Sequence, residues 1–228
     1  MVSAEGSGPP GADLPERTSR TNNNDMDERL FFDPHQPVDI TVRNLPHWNQ
    51  NNKFYFVTFR LADAMPAEVM KEYKARVQEV EKRYPMPRTK MQQAEVDKIK
   101  HNTLEKYLDA GHGACILKES RLRESLVETL EHDEGVDYEI DAYVIMPNHV
   151  HLLLATLGDK PIQVIINTIK KVSGHHICRL ANCKSPLWER EYYDRLIRNA
   201  QHYVDVLAYI INNPRHCPPG SYTLYVRK

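Results

Sequence analysis

Residues 143–154 read YVIMPNHVHLLL. Apolar runs on either side of Pro147 and Asn148 predict two strands, 137–146 and 149–156, joined by a tight turn. Strand side chains alternate in direction, so His149 and His151 project from one side of the sheet and Val150 from the other. Two imidazoles at neighbouring same-side positions can share one metal ion. The plainer alternative is a pair of strand-end histidines bonded to backbone and water. Other histidine motifs do not fit. H-E-x-x-H is absent, and Leu153 stands where an H-x-H-x-D hydrolase needs an aspartate. A two-motif H-x-[ST] phosphoesterase lacks its second copy.

Working outward from the pair, the 228 residues with 41% hydrophobic content suffice for one core, and one domain with appendages is expected. No run approaches the roughly 18 apolar residues of a membrane span. The N-terminal stretch has no apolar centre of a signal peptide, so a soluble, cytoplasmic protein is expected. Cys115, Cys178, Cys183 and Cys217 are too irregularly spaced for a disulfide framework. A zinc cluster of His175, His176, Cys178 and Cys183 lacks a paired C-x-x-C. The net charge of −1 hides an asymmetry. Residues 160–228 hold eleven Lys and Arg against four Asp and Glu, a distribution that suits a phosphate-binding face or a merely solvated basic surface.

Residues 1–28, rich in Gly, Pro, Ser and Asn, are read as a disordered tail without chemistry. A proline-punctuated lead-in precedes a strand over 53–60. Helical periodicity then covers about 65–110, broken by YPMPRTK, and reads as a charged helical insertion with a polar face, a scaffold or a DNA clamp and not the seat of catalysis. A helix over 119–131 leads into the histidine hairpin. Beyond it come a helix over 160–181, interrupted near Gly174, a strand near 193–198, and a helix over 200–213 ended by Pro214. Residues 216–228 form a basic tail. In the last helix Tyr209 and Asn213 lie four apart on one face, so a phenol and an amide can approach a cation together. Against this, Tyr209 can pack with Val206 and Ile210, and Asn213 can be a simple stop residue. Tyr192, Tyr193 and Tyr203 compete for any nucleophilic role.

Taken together, LPHWNQNNKFYFVTFRLAD, YLDAGHGACILK, MPNHVHLLL, LWEREYYDRLIRN and YIINNP resemble successive blocks of the single-tyrosine transposases of the HUH superfamily. The branch they resemble is the REP-associated tyrosine transposases, which are IS200-like. The resemblance spans about residues 43–215, within an expected domain of 29–215. It implies a ferredoxin-like α/β fold, an antiparallel sheet with helices on one face plus the helical insertion. It also implies that His149, His151 and Asn213 hold Mg²⁺ or Mn²⁺ and that Tyr209 is the catalytic nucleophile. The implied reaction is cleavage and rejoining of single-stranded hairpin DNA, the REP element, through a covalent 5′-phosphotyrosine. Lys170, Lys171, Arg179, Arg190, Arg195 and Arg198 would meet phosphates, and Trp188 or Tyr193 an unpaired base. The family implies a monomer associated with the nucleoid, although related enzymes dimerise. Two departures stand out: RHCPPGSY follows the last helix in place of a small apolar run, and Ser185-Pro186 replaces a usual glycine before Trp188. A catalytically silent hairpin-DNA-binding protein is the main rival. An unrelated metal-binding domain acting on RNA or a small phosphoester is the second.

Overall fold

A computed structural model describes residues 30–42 and 46–228; the expected N-terminal tail lies outside the described residues. In chain order the elements are β1 (Asp39–Val42), β2 (Pro46–Asn49), β3 (Phe54–Arg60), α1 (Ala67–Arg83), α2 (Lys90–Asp109), α3 (Ser120–His132), β4 (Tyr138–Ile145), β5 (His149–Thr156), α4 (Ile162–Ala181), β6 (Tyr193–Leu196), α5 (Ala200–Asn212) and β7 (Thr223–Val226). β1 and β2 pair by themselves. The main sheet has the order β6-β3-β5-β4-β7 and every pairing is antiparallel.

β5 is central and buried along its whole length, because both of its faces are covered. Val150, Leu152 and Leu154 join Tyr55, Val57 and Phe59 of β3 in one core, closed by Leu122, Leu126 and Leu130 of α3 and by Ile162, Ile165, Ile166 and Ile169 of α4. On the opposite face Leu153 and Ala155 join Phe54 and Phe56 under Val206 and Ile210 of α5. A bulge between Ile140 and Ala142 shifts the register of β4 against β5. Accordingly Ile140 faces the first core, and Ala142 and Val144 face the second.

Three expectations need correction. Helices cover both faces of the sheet, not one, since a strand apolar on both sides must be buried on both sides. α4 runs through Gly174 without interruption. That glycine serves packing, because a Cβ there would lie 3.3 Å from Trp188 Cδ1 and 3.6 Å from Leu187 Cβ. The stretch read as a basic tail contributes β7, which extends the sheet beside β4. Its Arg227 sits among acids, with an Nη 2.7 Å from Glu134 and Nε 3.5 Å from Asp141.

The insertion is a helical hairpin. Gln92 and Thr89 form a capping box at the start of α2. Tyr73 of α1 and Leu104 and Tyr107 of α2 pack against the first core, where Leu108 is fully buried. No helix among the described residues is long and apolar enough to cross a membrane.

Candidate active site

The turn before β5 sets the geometry of the histidine pair. Asn148 is buried, and its Nδ2 donates to the carbonyls of Leu108 and His112 at 3.2 Å each. Those two bonds fix which way the amide faces, so Oδ1 is the atom 2.7 Å from His149 Nδ1. An amide oxygen only accepts, hence Nδ1 of His149 carries the proton and Nε2 presents a lone pair. His151 Nδ1 meets the Thr58 hydroxyl at 2.8 Å, and β3 register places Thr58 opposite His151. The two Nε2 atoms are 3.1 Å apart. Both rings are fully buried. Burial, then the neighbouring His151, pulls the His149 pKa down to about 3, which keeps it the neutral ring that metal ligation requires.

α5 supplies the second side of the site. The Tyr209 hydroxyl lies 3.4 Å from His151 Nε2, and its ring meets His151 and Phe56 edge-on at 5.1 and 5.8 Å. One turn on, Asn213 Nδ2 is 3.3 Å from the same nitrogen, while Asn213 Oδ1 is buried with no hydrogen-bond partner. The helix spacing read from sequence therefore does bring Tyr209 and Asn213 to the histidines. The other tyrosines do not reach the histidine pair: the Tyr192 ring packs tilted on His47, Tyr193 stacks on His101, and Tyr203 donates to Asp141 Oδ2 at 2.7 Å.

The third side comes from the helical insertion. Glu105 of α2 is buried, accepts a hydrogen bond from the Tyr209 hydroxyl through Oε2, and has that oxygen 3.3 Å from His151 Nε2. Its Oε1 is buried without a partner. Burial drives the carboxyl pKa upward, but His151, His101 and His149 outweigh it and bring it to about 2. The Tyr209 phenol is pushed well above its ordinary value by burial and then by the Glu105 charge. Among the described residues, Glu105, His149 and His151 are the one group of three His, Cys, Asp or Glu able to hold a metal ion, their ligand atoms lying within 4.8 Å of one another. Sequence reasoning missed Glu105; the one available signal was His101 four residues earlier on the same helix face. The cysteines are free, and the His175–Cys183 segment forms no such group.

Of the residues expected at DNA, Tyr193 is half-buried and stacked on His101, and the other seven divide into three sets. Lys170 is buried and donates to the Arg190 carbonyl at 2.8 Å. Trp188 is 4% exposed and donates to Ser173 Oγ at 3.0 Å. Both are committed to the fold, which corrects the expectation that they meet DNA. Lys171, Arg179 and Arg190 are exposed and line a groove of about 810 Å³ beside α4. Arg195 lies opposite Phe56 in the β6 register, on the face of the histidine pair, and Arg198 is exposed just beyond β6.

Residues 116–213 match the family described as transposase IS200 like. This IS200-like region contains His149, His151, Tyr209 and Asn213 and ends on the last of them. It leaves out β3 with Thr58 and the helical hairpin with Glu105. No curated protein matches the chain. The fold is similar to a solved REP-associated tyrosine transposase bound to a REP hairpin, with 16% identity, 76% of this chain and 73% of the other covered, and a TM-score of 0.43. It is also similar to a provisionally named transposase from Deinococcus radiodurans R1, with 14% identity, 76% and 96% covered, and a TM-score of 0.30.

Proposed function

We propose that the protein is a metal-dependent single-stranded DNA endonuclease and strand transferase that acts on hairpin DNA of the REP type through a covalent 5′-phosphotyrosine on Tyr209. The observation that carries this reading is the convergence on His151 Nε2 of the Tyr209 hydroxyl, the Asn213 amide, the Glu105 carboxylate and the second imidazole, all between 3.1 and 3.4 Å. The family match to transposases supports it independently.

The residues suit a divalent cation. His149 Nε2 presents a lone pair across 3.1 Å to His151 Nε2, a gap that a proton or a cation bridges, and Glu105 Oε2, 3.3 Å from His151 Nε2, and the unpartnered Asn213 Oδ1 are further oxygen donors. His149, His151, Glu105 and Asn213 would hold the ion, and a mixed nitrogen and oxygen set with one carboxylate is compatible with Mn²⁺ or Mg²⁺. When bound, it supplies Lewis-acid polarisation of the scissile phosphate and offsets the charge developing there. The chain's own residues do the rest. α5 holds the Tyr209 oxygen beside the histidines for attack on phosphorus, forming the P–O(Tyr) bond as the bond to the 3′ oxygen breaks, which leaves a 3′ hydroxyl. Glu105 keeps that phenol oriented through its hydrogen bond. Arg195 on the face of the histidine pair, Arg198 just beyond β6, and Lys171, Arg179 and Arg190 beside α4 are the phosphate contacts of this reading. It takes the protein to act as a monomer at the nucleoid.

One observation favours the rival, a hairpin-binding protein that does not cut: burial and Glu105 together hold the Tyr209 phenol strongly neutral. Incubating the protein and Tyr209→Phe with labelled single-stranded hairpin DNA and Mn²⁺, then running a denaturing gel, decides between them. A covalent adduct lost in the variant is expected. Binding by both proteins with an adduct from neither transfers the reading to the silent binder.

A further inference from the structure

The helical hairpin lies outside the IS200-like stretch, yet it reaches the chemistry through more than Glu105. His101 sits one turn earlier on the same face of α2, with Nδ1 3.7 Å from Glu105 Oε1. Both atoms are buried and neither has a hydrogen-bond partner. Two polar atoms left unpaired inside a protein are costly, and a donor facing an acceptor across so short a gap is the simplest way to remove that cost. The imidazole is held in this orientation by its surroundings. It stacks on Tyr193 at 4.7 Å with an interplanar angle of 21°, and Phe56 meets it edge-on at 6.0 Å.

We propose that His101 is a positioning residue of the metal centre: its Nδ1–H donates to Glu105 Oε1 and thereby aims the carboxylate at Tyr209 and the histidine pair. The inserted hairpin is then a working part of the site and not only a scaffold. This inference rests on the metal centre described under Proposed function. It follows a general pattern in which an outer partner fixes the orientation of a ligand and its removal weakens metal affinity about 10- to 100-fold.

The test is a titration of the full chain with Mn²⁺ in the absence of DNA, followed by calorimetry, for the wild type, His101→Phe and His101→Asn. Phenylalanine keeps a flat ring against Tyr193 but has no N–H; asparagine restores a donor on a shorter side chain. The expected result is a loss of Mn²⁺ affinity of about 10- to 100-fold in the phenylalanine variant, largely recovered in the asparagine variant. His101→Met is the second donor-free replacement should the phenylalanine variant not fold. Wild-type affinity in the donor-free variants overturns the inference and leaves the metal centre standing. Equal loss in the donor-free and asparagine variants also overturns it and makes the role one of packing. Absence of Mn²⁺ binding by the wild type removes the metal centre itself, and the inference with it.

Discussion

Glu105 and Tyr209 are 104 residues apart in the chain, and their side chains share a hydrogen bond beside His151. One comes from the inserted helix α2 and the other from α5, so the bond ties the insertion to the nucleophile proposed above. Replacing Glu105 by Gln keeps the shape and removes the charge. The expected outcome is a Tyr209 phenol that titrates lower, since the Glu105 charge is among the causes that raise it. Weaker Mn²⁺ binding is also expected, by about tenfold or more. Ultraviolet titration of the tyrosines and Mn²⁺ calorimetry check the two halves separately, and an unchanged Mn²⁺ affinity removes Glu105 from the ligand set.

The buried histidine makes the metal-free protein sensitive to acid. His149 has a pKa of about 3 in the folded state against an ordinary value of about 6.5. Between those values the unfolded chain binds a proton that the folded chain does not, so stability is full above about pH 6.5 and falls as the pH is lowered towards 3. The slope approaches about 1.4 kcal/mol per pH unit in that window. Urea unfolding at pH 7 and pH 5 measures it, with His149→Gln as the variant expected to show a weaker dependence, half-buried His101 and His202 supplying the remainder.

Gly113 is a backbone requirement. Its φ is +84°, and a Cβ would lie 2.5 Å from the Asp63 carbonyl oxygen, where Asp63 Oδ2 also accepts from the Ala114 N–H at 2.8 Å. Gly113→Ala is expected to destabilise the fold by roughly 1–3 kcal/mol, from the strained backbone and the forced separation of the two segments. A thermal melt reads this directly, and an unchanged midpoint refutes it.

The basic residues separate by salt dependence. Alanine at exposed Lys171, Arg179 or Arg190 is expected to lower the slope of log K against log salt for hairpin DNA by about one each. Trp188→Ala, by contrast, is expected to act on stability, at about 3–5 kcal/mol for a large buried aromatic. Fluorescence anisotropy at several salt concentrations, set beside unfolding curves, assigns each residue to its class. A slope unaffected by all three cationic substitutions removes the α4 groove from the DNA path.

The sequence by itself determined whatever rests on local periodicity. The alternation around Pro147 and Asn148 put His149 and His151 on one side of β5, and the four-residue spacing put Tyr209 and Asn213 on one face of α5; both relations follow from the geometry of a single element. Tertiary structure decided what depends on elements meeting. Local sequence offers only His101, one turn earlier, to set Glu105 apart from the other charged residues of α2, and Glu105 reaches the histidines where Asn148 binds the Leu108 and His112 carbonyls and seats the end of the insertion against the histidine turn. Likewise, a buried Trp188 and an exposed one are written identically in sequence, and only the glycine gap at position 174 in α4 shows where the indole goes. The last stretch of chain read as a basic tail because its charge was visible, whereas its β4 partner, about eighty residues away, was not. Strand pairing and site assembly are long-range events, and their physical cause is the burial of two faces of one sheet, a property of no single segment.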